Sequence, residues 1–151
     1  MPTNVEVLRG GYEAFGRGDI GGITETFAED IEFVGPNSQQ MPGAGTQRGR
    51  EAVGALLAGM LERWEDLNWS PDAFVSEGET IVVLGHMEGR AKATGTQVKV
   101  PFAHVWRMSG GKVRRGQALT DTAVVAEALR RWSRPPALRR HWTHPDLRAE
   151  V

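Results

Sequence analysis

The fold is decided by residues 97–121, which read QVKVPFAHVWRMSGGKVRRGQALTD. Apolar side chains alternate along the first half, as in a strand with one face in the core, and Gly110-Gly111 marks a tight turn. The second half ends in Asp121, directly before a helical pattern. The stretch predicts a β-hairpin that can bring His104 and Asp121 into one apolar cavity. A general base with a polar partner in water-poor surroundings is what proton abstraction from carbon requires.

The same period of two extends over most of the chain's second half, interrupted by short Gly-containing turn signals. It predicts an antiparallel meander of strands near 67–76, 80–92, 97–109 and 113–120.

Helical spacing dominates the first half of the chain. Thr3 and Glu6 form a capping box for a helix that ends at Gly16, and Asp19 is an N-cap for a short second helix. A short strand around Ile31 and Phe33 and a long surface loop at 35–49 follow, and the loop can act as a flap. A third helix then carries an apolar stripe, formed by Val53, Leu56, Leu57, Met60, Leu61 and Trp64.

A last helix is predicted from about Thr122 to Trp132, with Val124, Val125, Ala128 and Leu129 facing inward. We expect one domain over residues 1–132 and a basic tail with prolines and tryptophans over 133–151. The predicted fold class is α+β, a cone-shaped curved antiparallel sheet packed on three helices from the N-terminal half plus the C-terminal helix. Such a sheet leaves a pocket between its concave face and the helices.

Composition excludes several functions. The 151 residues carry a formal net charge of -1, so no basic field favours nucleic acid. No run of 18 apolar residues predicts a membrane span, and the N-terminus has no signal-peptide pattern. The chain has no cysteine, which favours a reducing cytoplasm.

Two runs of the sequence resemble the SnoaL-like polyketide cyclases, within the superfamily of nuclear transport factor two and ketosteroid isomerase. The opening run is YEAFGRGD at 12–19 followed by FAEDI at 27–31. The closing run is AHVWRM at 103–108, GKV at 111–113 and LTD at 119–121. The resemblance covers residues 4–131 and implies the cone-shaped fold.

In the cyclases, a strand-end Asp is the acid/base of an intramolecular aldol ring closure, a strand His lies nearby, and no metal or organic cofactor is used. The resemblance therefore implies Asp121 and His104 as catalytic residues and no cofactor. We expect proton abstraction next to a carbonyl here, for an intramolecular aldol cyclisation or an isomerisation, on a mostly apolar polycyclic compound. Asp121 is also a good helix N-cap, however, and a capping bond would hold its carboxylate at the helix start instead of in the cavity.

Other reactions of the superfamily fit less well. Positions aligned with the isomerase's Asp base and its Tyr and Asp oxyanion hole are Gly35, Gly11 and Ala103, which disfavours that mechanism. An epoxide-hydrolase-like enzyme would need Glu88 or Glu32 to face Asp121. A non-catalytic small-molecule-binding or dimerising domain remains the alternative, since one fold hosts many functions.

Six further residues are candidates for substrate contact, with ordinary structural roles as the alternative. His86 and Gln117 are polar groups on alternating strands, and aromatic or Met side chains could wall a flat substrate. These are Phe33, Trp64, Trp106 and Met108. His104 shares strand parity with Trp106, but alignment with the isomerase turns Ala103 inward instead, and the sequence leaves this choice open.

Metal binding is not predicted, because the close pair His141 and His144 lies in the tail without a supporting motif. We expect a homodimer through the outer face of the sheet, which would otherwise leave Val105 or Trp106 in water.

Overall fold

The computed structural model of the protein describes residues 1–36, 41 and 44–130. Within these residues the α+β fold is confirmed, with helices packed on a curved, open, mixed six-stranded sheet. The helices are α1 (Asn4–Gly16), α2 (Ile20–Thr24), α3 (Arg50–Arg63) and α4 (Thr122–Leu129). The strands are β1 (Phe27–Val34), β2 (Thr46–Arg48), β3 (Trp64–Glu77), β4 (Thr80–Ala91), β5 (Gln97–Ser109) and β6 (Lys112–Thr120).

The predicted start of α1 is confirmed. The Glu6 backbone N–H donates to the Thr3 hydroxyl at 3.1 Å, and the Thr3 N–H donates to the Glu6 carboxylate at 2.7 Å. Asp19 caps α2 through the N–H of Gly22. These bonds satisfy N–H groups that the first turn of a helix leaves without partners.

Strands β3 to β6 form the predicted antiparallel meander, and Gly78, Gly110 and Gly111 adopt positive φ in its turns. The sheet order is β2-β1-β6-β5-β4-β3. One pair is parallel: β1 lies beside β6, the last strand of the meander, and runs in the same direction. The expectation of a wholly antiparallel sheet is corrected at this pair.

The face of β5 that the sequence left open is now assigned. Phe102, His104 and Trp106 are buried, whereas Ala103 and Val105 are half-buried on the opposite face. His104 lies opposite Val83 of β4 and Ala118 of β6, both of which are also buried. The imidazole therefore faces the helices.

Some element boundaries differ from the predictions. Trp64 begins β3 rather than ending α3, and the three residues of β2 lie within the predicted loop, where they pair with β1. In α4, Val124 is 43% exposed and Ala126 is buried in its place. The remainder of the predicted flap, at 37–40 and 42–43, and the predicted tail lie outside the described residues, so the division at 132 stays a prediction.

No helix in the described part of the chain is both long and apolar enough to cross a membrane.

Candidate functional site

An apolar cavity of about 110 Å³ lies between the helices and the inner face of the sheet. Its walls are mostly aliphatic and aromatic side chains. The helical wall includes Phe15, Leu56, Leu57 and Met60, and the sheet wall includes Phe33, Trp64, Trp69 and Met87. Apolar walls of this kind strengthen the hydrogen bonds of a polar group that is buried among them.

Three polar side chains on the cavity surface are linked to one another by two hydrogen bonds. The Tyr12 hydroxyl oxygen is 2.6 Å from Nδ1 of His104, and the Trp106 Nε1–H donates to that hydroxyl at 3.0 Å. All three residues are buried and line the cavity, and His104 is 7% exposed. The polar groups that face this part of the cavity thus form one connected network.

Burial keeps both ionisable members of the network neutral. It lowers the pKa of His104 from 6.5 to about 3, because a charged imidazolium would lose its hydration. Burial also raises the pKa of Tyr12 well above its usual value, and the Trp106 hydrogen bond opposes that shift only in part. At neutral pH the network is an uncharged phenol beside an uncharged imidazole.

The hydroxyl proton of Tyr12 is assigned to the bond with Nδ1 of His104. A phenol has one proton, and its oxygen already accepts the Trp106 N–H. If Nδ1 donated instead, the Tyr12 O–H would need a second acceptor, and it has none among the described residues. The proton of the neutral ring then sits on Nε2, and this N–H makes no hydrogen bond to any described residue.

Aromatic packing fixes the orientation of the imidazole. Its ring centroid is 4.3 Å from that of Phe102 and 4.9 Å from that of Trp69. The Trp106 ring stands nearly perpendicular to it, at 81°. Trp106 in turn lies against Gly116 of β6, where a Cβ atom would come within 2.4 Å of the indole. Glycine at position 116 therefore makes room for the indole that donates to Tyr12.

Residues 8–116 match the sequence family described as the SnoaL-like domain. The chain belongs to the SnoaL-like domain family. The predicted family is thus confirmed over more than half of the chain.

Solved structures similar to this SnoaL-like domain support the same fold. An NTF2-like protein of unknown function from Burkholderia pseudomallei is 31% identical, with 85% of this chain and 98% of that chain covered and a TM-score of 0.78. An NTF2-like protein from Burkholderia xenovorans is 34% identical (84% and 95% covered, TM-score 0.74). TerC, co-crystallised with polyporic acid, is 29% identical (83% and 97% covered, TM-score 0.76). A search of curated proteins finds no match.

Four of the eight site residues expected from the sequence line the cavity of the SnoaL-like domain. They are His104, Phe33, Trp64 and Trp106. Met108 is completely buried in the core and is not part of the cavity surface. It lies beyond Trp106 along β5, next to the turn.

His86 and Gln117 are on the opposite face of the sheet, away from the cavity, and their contact with a ligand stays a prediction. His86 is exposed and its Nδ1 is 2.7 Å from the Asp72 carboxylate. Gln117 is half-buried beside Val105, between the inward residues Gly116 and Ala118. The strand period of two explains both positions, because each residue shares its parity with outward-facing neighbours.

The expected burial of Asp121 is also not observed. Asp121 is exposed, does not line the cavity, and its carboxylate accepts the Val124 N–H at 3.3 Å as the N-cap of α4. Capping competes with insertion into the cavity for the same carboxylate, and the capped arrangement is the one adopted. The neighbouring Thr120 does line the cavity, so Asp121 stands next to its wall.

The carboxylates that an epoxide-hydrolase-like reaction would need do not face the cavity. Glu88 is paired with Lys99 at 3.2 Å, and Glu32 is paired with Arg48 and Arg115 on the outer surface. No cluster of three or more metal-ligating side chains occurs within residues 1–36, 41 and 44–130. His141 and His144 lie outside the described residues.

The cavity residues that were not predicted from the sequence include Tyr12, Trp69 and Arg63. Tyr12 lies on the buried face of α1, and its hydroxyl is the sequence signal that it needs a polar partner. Arg63 ends α3 and lines the cavity, although it is exposed on its other side.

Proposed function

We propose that this SnoaL-like domain binds a small, largely apolar molecule and holds one oxygen of that molecule with the Nε2–H of His104. The observation that carries the proposal is the network of Tyr12, His104 and Trp106 on an otherwise apolar cavity surface. The Trp106 indole donates to Tyr12, Tyr12 donates to His104, and His104 is left to donate to a ligand. A neutral donor of this kind selects a carbonyl or ether oxygen.

The volume of the cavity indicates the size of the ligand. An engineered apolar cavity of about 150 Å³ in another protein holds benzene. The cavity of about 110 Å³ is smaller than that one, so it holds no more than one ring. The polycyclic substrate expected from the sequence would need the cavity to widen, so we propose a ligand with a single aromatic or alicyclic ring.

A pair of isosteric probes tests this proposal. Acetophenone carries a carbonyl oxygen where α-methylstyrene carries a methylene group. We expect calorimetric titration to show that acetophenone binds about fivefold more tightly, the effect of one neutral hydrogen bond. In His104→Phe, which removes the donor, the ratio falls, while in His86→Phe, on the outer face, it does not change. Equal affinities in the wild type, or no binding of either probe, would refute the proposal.

A second candidate function is the cyclase-like one, proton abstraction next to a carbonyl with Asp121 as base and His104 as hydrogen-bond donor. Family membership and the position of Asp121 beside the cavity residue Thr120 favour it. It requires Asp121 to leave its bond with the Val124 N–H. Deuterium exchange at the acetophenone methyl group tests it directly. Exchange that depends on the protein and is lost in Asp121→Asn supports it, and the absence of such exchange contradicts it.

We also propose a homodimer through the outer face of the sheet. Leu84 and Leu119 are 43% and 49% exposed and flank Ala103 in adjacent strands, with Val105 nearby. Of the two residues expected for this face, Val105 lies on it, whereas Trp106 is buried on the other side. Sedimentation at micromolar concentration should show a dimer for the wild type and a monomer for Leu84→Glu. A wild-type monomer would refute the dimer.

We propose a cytoplasmic location as well, because the chain has no cysteine and a reducing compartment suits such a composition.

A further inference from the structure

We propose that Arg63 binds an anionic group of the ligand, so that the ligand is a small aromatic or alicyclic carbonyl compound that also carries a carboxylate. This inference rests on the proposed binding function and specifies the class of ligand. It adds a second point of recognition to the Nε2–H of His104.

The position of Arg63 supports this role. Arg63 is the last residue of α3, it lines the cavity, and it is exposed on its other side. Its guanidinium folds back along its own helix and donates to the backbone oxygen of Gly59 at 3.1 Å. Gly59 leaves room for it, since a Cβ atom there would lie 3.1 Å from the guanidinium. The guanidinium is therefore held against the helix that forms one wall of the cavity.

The charge of Arg63 is not neutralised by the described residues. Arg63 makes no ion pair with any of them, unlike Arg48, Arg114 and Arg115, which all pair with carboxylates. No Asp or Glu is among the described residues that line the cavity. The stretch 36–49, which includes cavity residues Pro36 and Met41, also contains no Asp or Glu in its sequence.

The two donors differ in what they select. His104 is neutral and deeply buried, so it suits an uncharged oxygen that can be stripped of water at low cost. Arg63 is charged and partly solvated, so it can pair with a carboxylate without the full cost of burying two ions. A ligand that satisfies both has a ring in the cavity, a carbonyl at His104 and a carboxylate at Arg63.

Acetylbenzoates test this inference against acetophenone, because they add a carboxylate to the same aryl ketone. We expect the wild type to bind either 3- or 4-acetylbenzoate about fivefold more tightly than acetophenone, the effect of a partly solvated ion pair. The preference should diminish at high salt. It should disappear in Arg63→Gln and be retained in Arg63→Lys. Arg107→Gln removes an equal charge from the exposed outer side of β5 and should leave the preference intact.

The outcomes separate this inference from the function on which it rests. If acetophenone binds better than α-methylstyrene but both acetylbenzoates bind no better than acetophenone, the proposed function stands and the role of Arg63 is refuted. A preference that persists in Arg63→Gln, or that disappears equally in Arg107→Gln, refutes it as well. If neither aryl ketone nor acetylbenzoate binds, both proposals fail.

Discussion

The Oη atom of Tyr12 in α1 and the Nδ1 atom of His104 in β5 are 2.6 Å apart, although the residues are separated by 92 positions in the sequence. Their bond joins the helical layer to the sheet at the wall of the cavity. It also determines which imidazole nitrogen carries the proton. One contact thus links packing of the first helix to the hydrogen-bonding chemistry of the site.

Removal of the Tyr12 hydroxyl should destabilise the protein. Tyr12→Phe leaves Nδ1 of His104 and the Trp106 N–H without partners in buried surroundings, so we expect a loss of about 2 kcal/mol of unfolding free energy. Urea denaturation measures it. The double variant Tyr12→Phe/His104→Phe should cost less than the sum of the single variants, because both remove the same bond. Strictly additive losses would show that the two side chains are not coupled.

Buried neutral His104 should make stability depend on pH. The unfolded chain takes up a proton near pH 6.5, whereas the folded protein does so only near pH 3. Stability must therefore rise with pH between these values and fall as the medium is acidified. From pH 7 to pH 5 we expect His104 to account for a loss of about 2 kcal/mol.

Comparison of variants isolates this contribution from that of other groups. The difference in unfolding free energy between pH 7 and pH 5 should shrink in His104→Phe. His86→Gln should behave as the wild type does, since His86 is exposed on the outer face of the sheet and takes no part in the buried network. An unchanged difference in His104→Phe would contradict the prediction.

Local patterns in the sequence predicted most of the fold. A period of two located β3 to β6, and cap residues such as Thr3 and Asp19 located the helix starts. The inward face of β5 could not be predicted in this way. Both Phe102 with Trp106 and Ala103 with Val105 are apolar, so the alternation identifies two faces without saying which one packs on the helices.

The site was less accessible to prediction, because its central contact is long-range. Nothing near Tyr12 in the sequence signals a partner in β5, and a hydroxyl on an apolar helix face is compatible with many neighbours. Asp121 presented the opposite difficulty. A carboxylate before a helix produces the same local sequence whether it caps that helix or enters a cavity, and tertiary packing made the choice.

The capping role of Asp121 can be measured separately from any role in catalysis. Asp121→Ala removes the acceptor for the Val124 N–H and should lower the unfolding free energy by about 1 kcal/mol. Asp121→Asn should retain nearly full stability, since Asn caps as well as Asp does. Thermal and urea denaturation of both variants provide the measurement. Equal losses in both variants would mean that the negative charge, rather than the capping bond, stabilises the fold.

Glycine at position 116 should be required for the position of Trp106. In Gly116→Ala the added Cβ atom would lie 2.4 Å from the indole and 3.0 Å from the Phe33 ring, so the indole must move towards the cavity. We expect a loss of about 2 kcal/mol of unfolding free energy, typical of overpacking in a core, together with weaker acetophenone binding. Gly10→Ala is the matched control, because a Cβ atom at this exposed position in α1 meets nothing within 4 Å. It should stabilise the protein by about 0.5 to 1 kcal/mol through helix propensity. If Gly116→Ala is tolerated as well as Gly10→Ala, the close approach of Trp106 to β6 does not constrain the site.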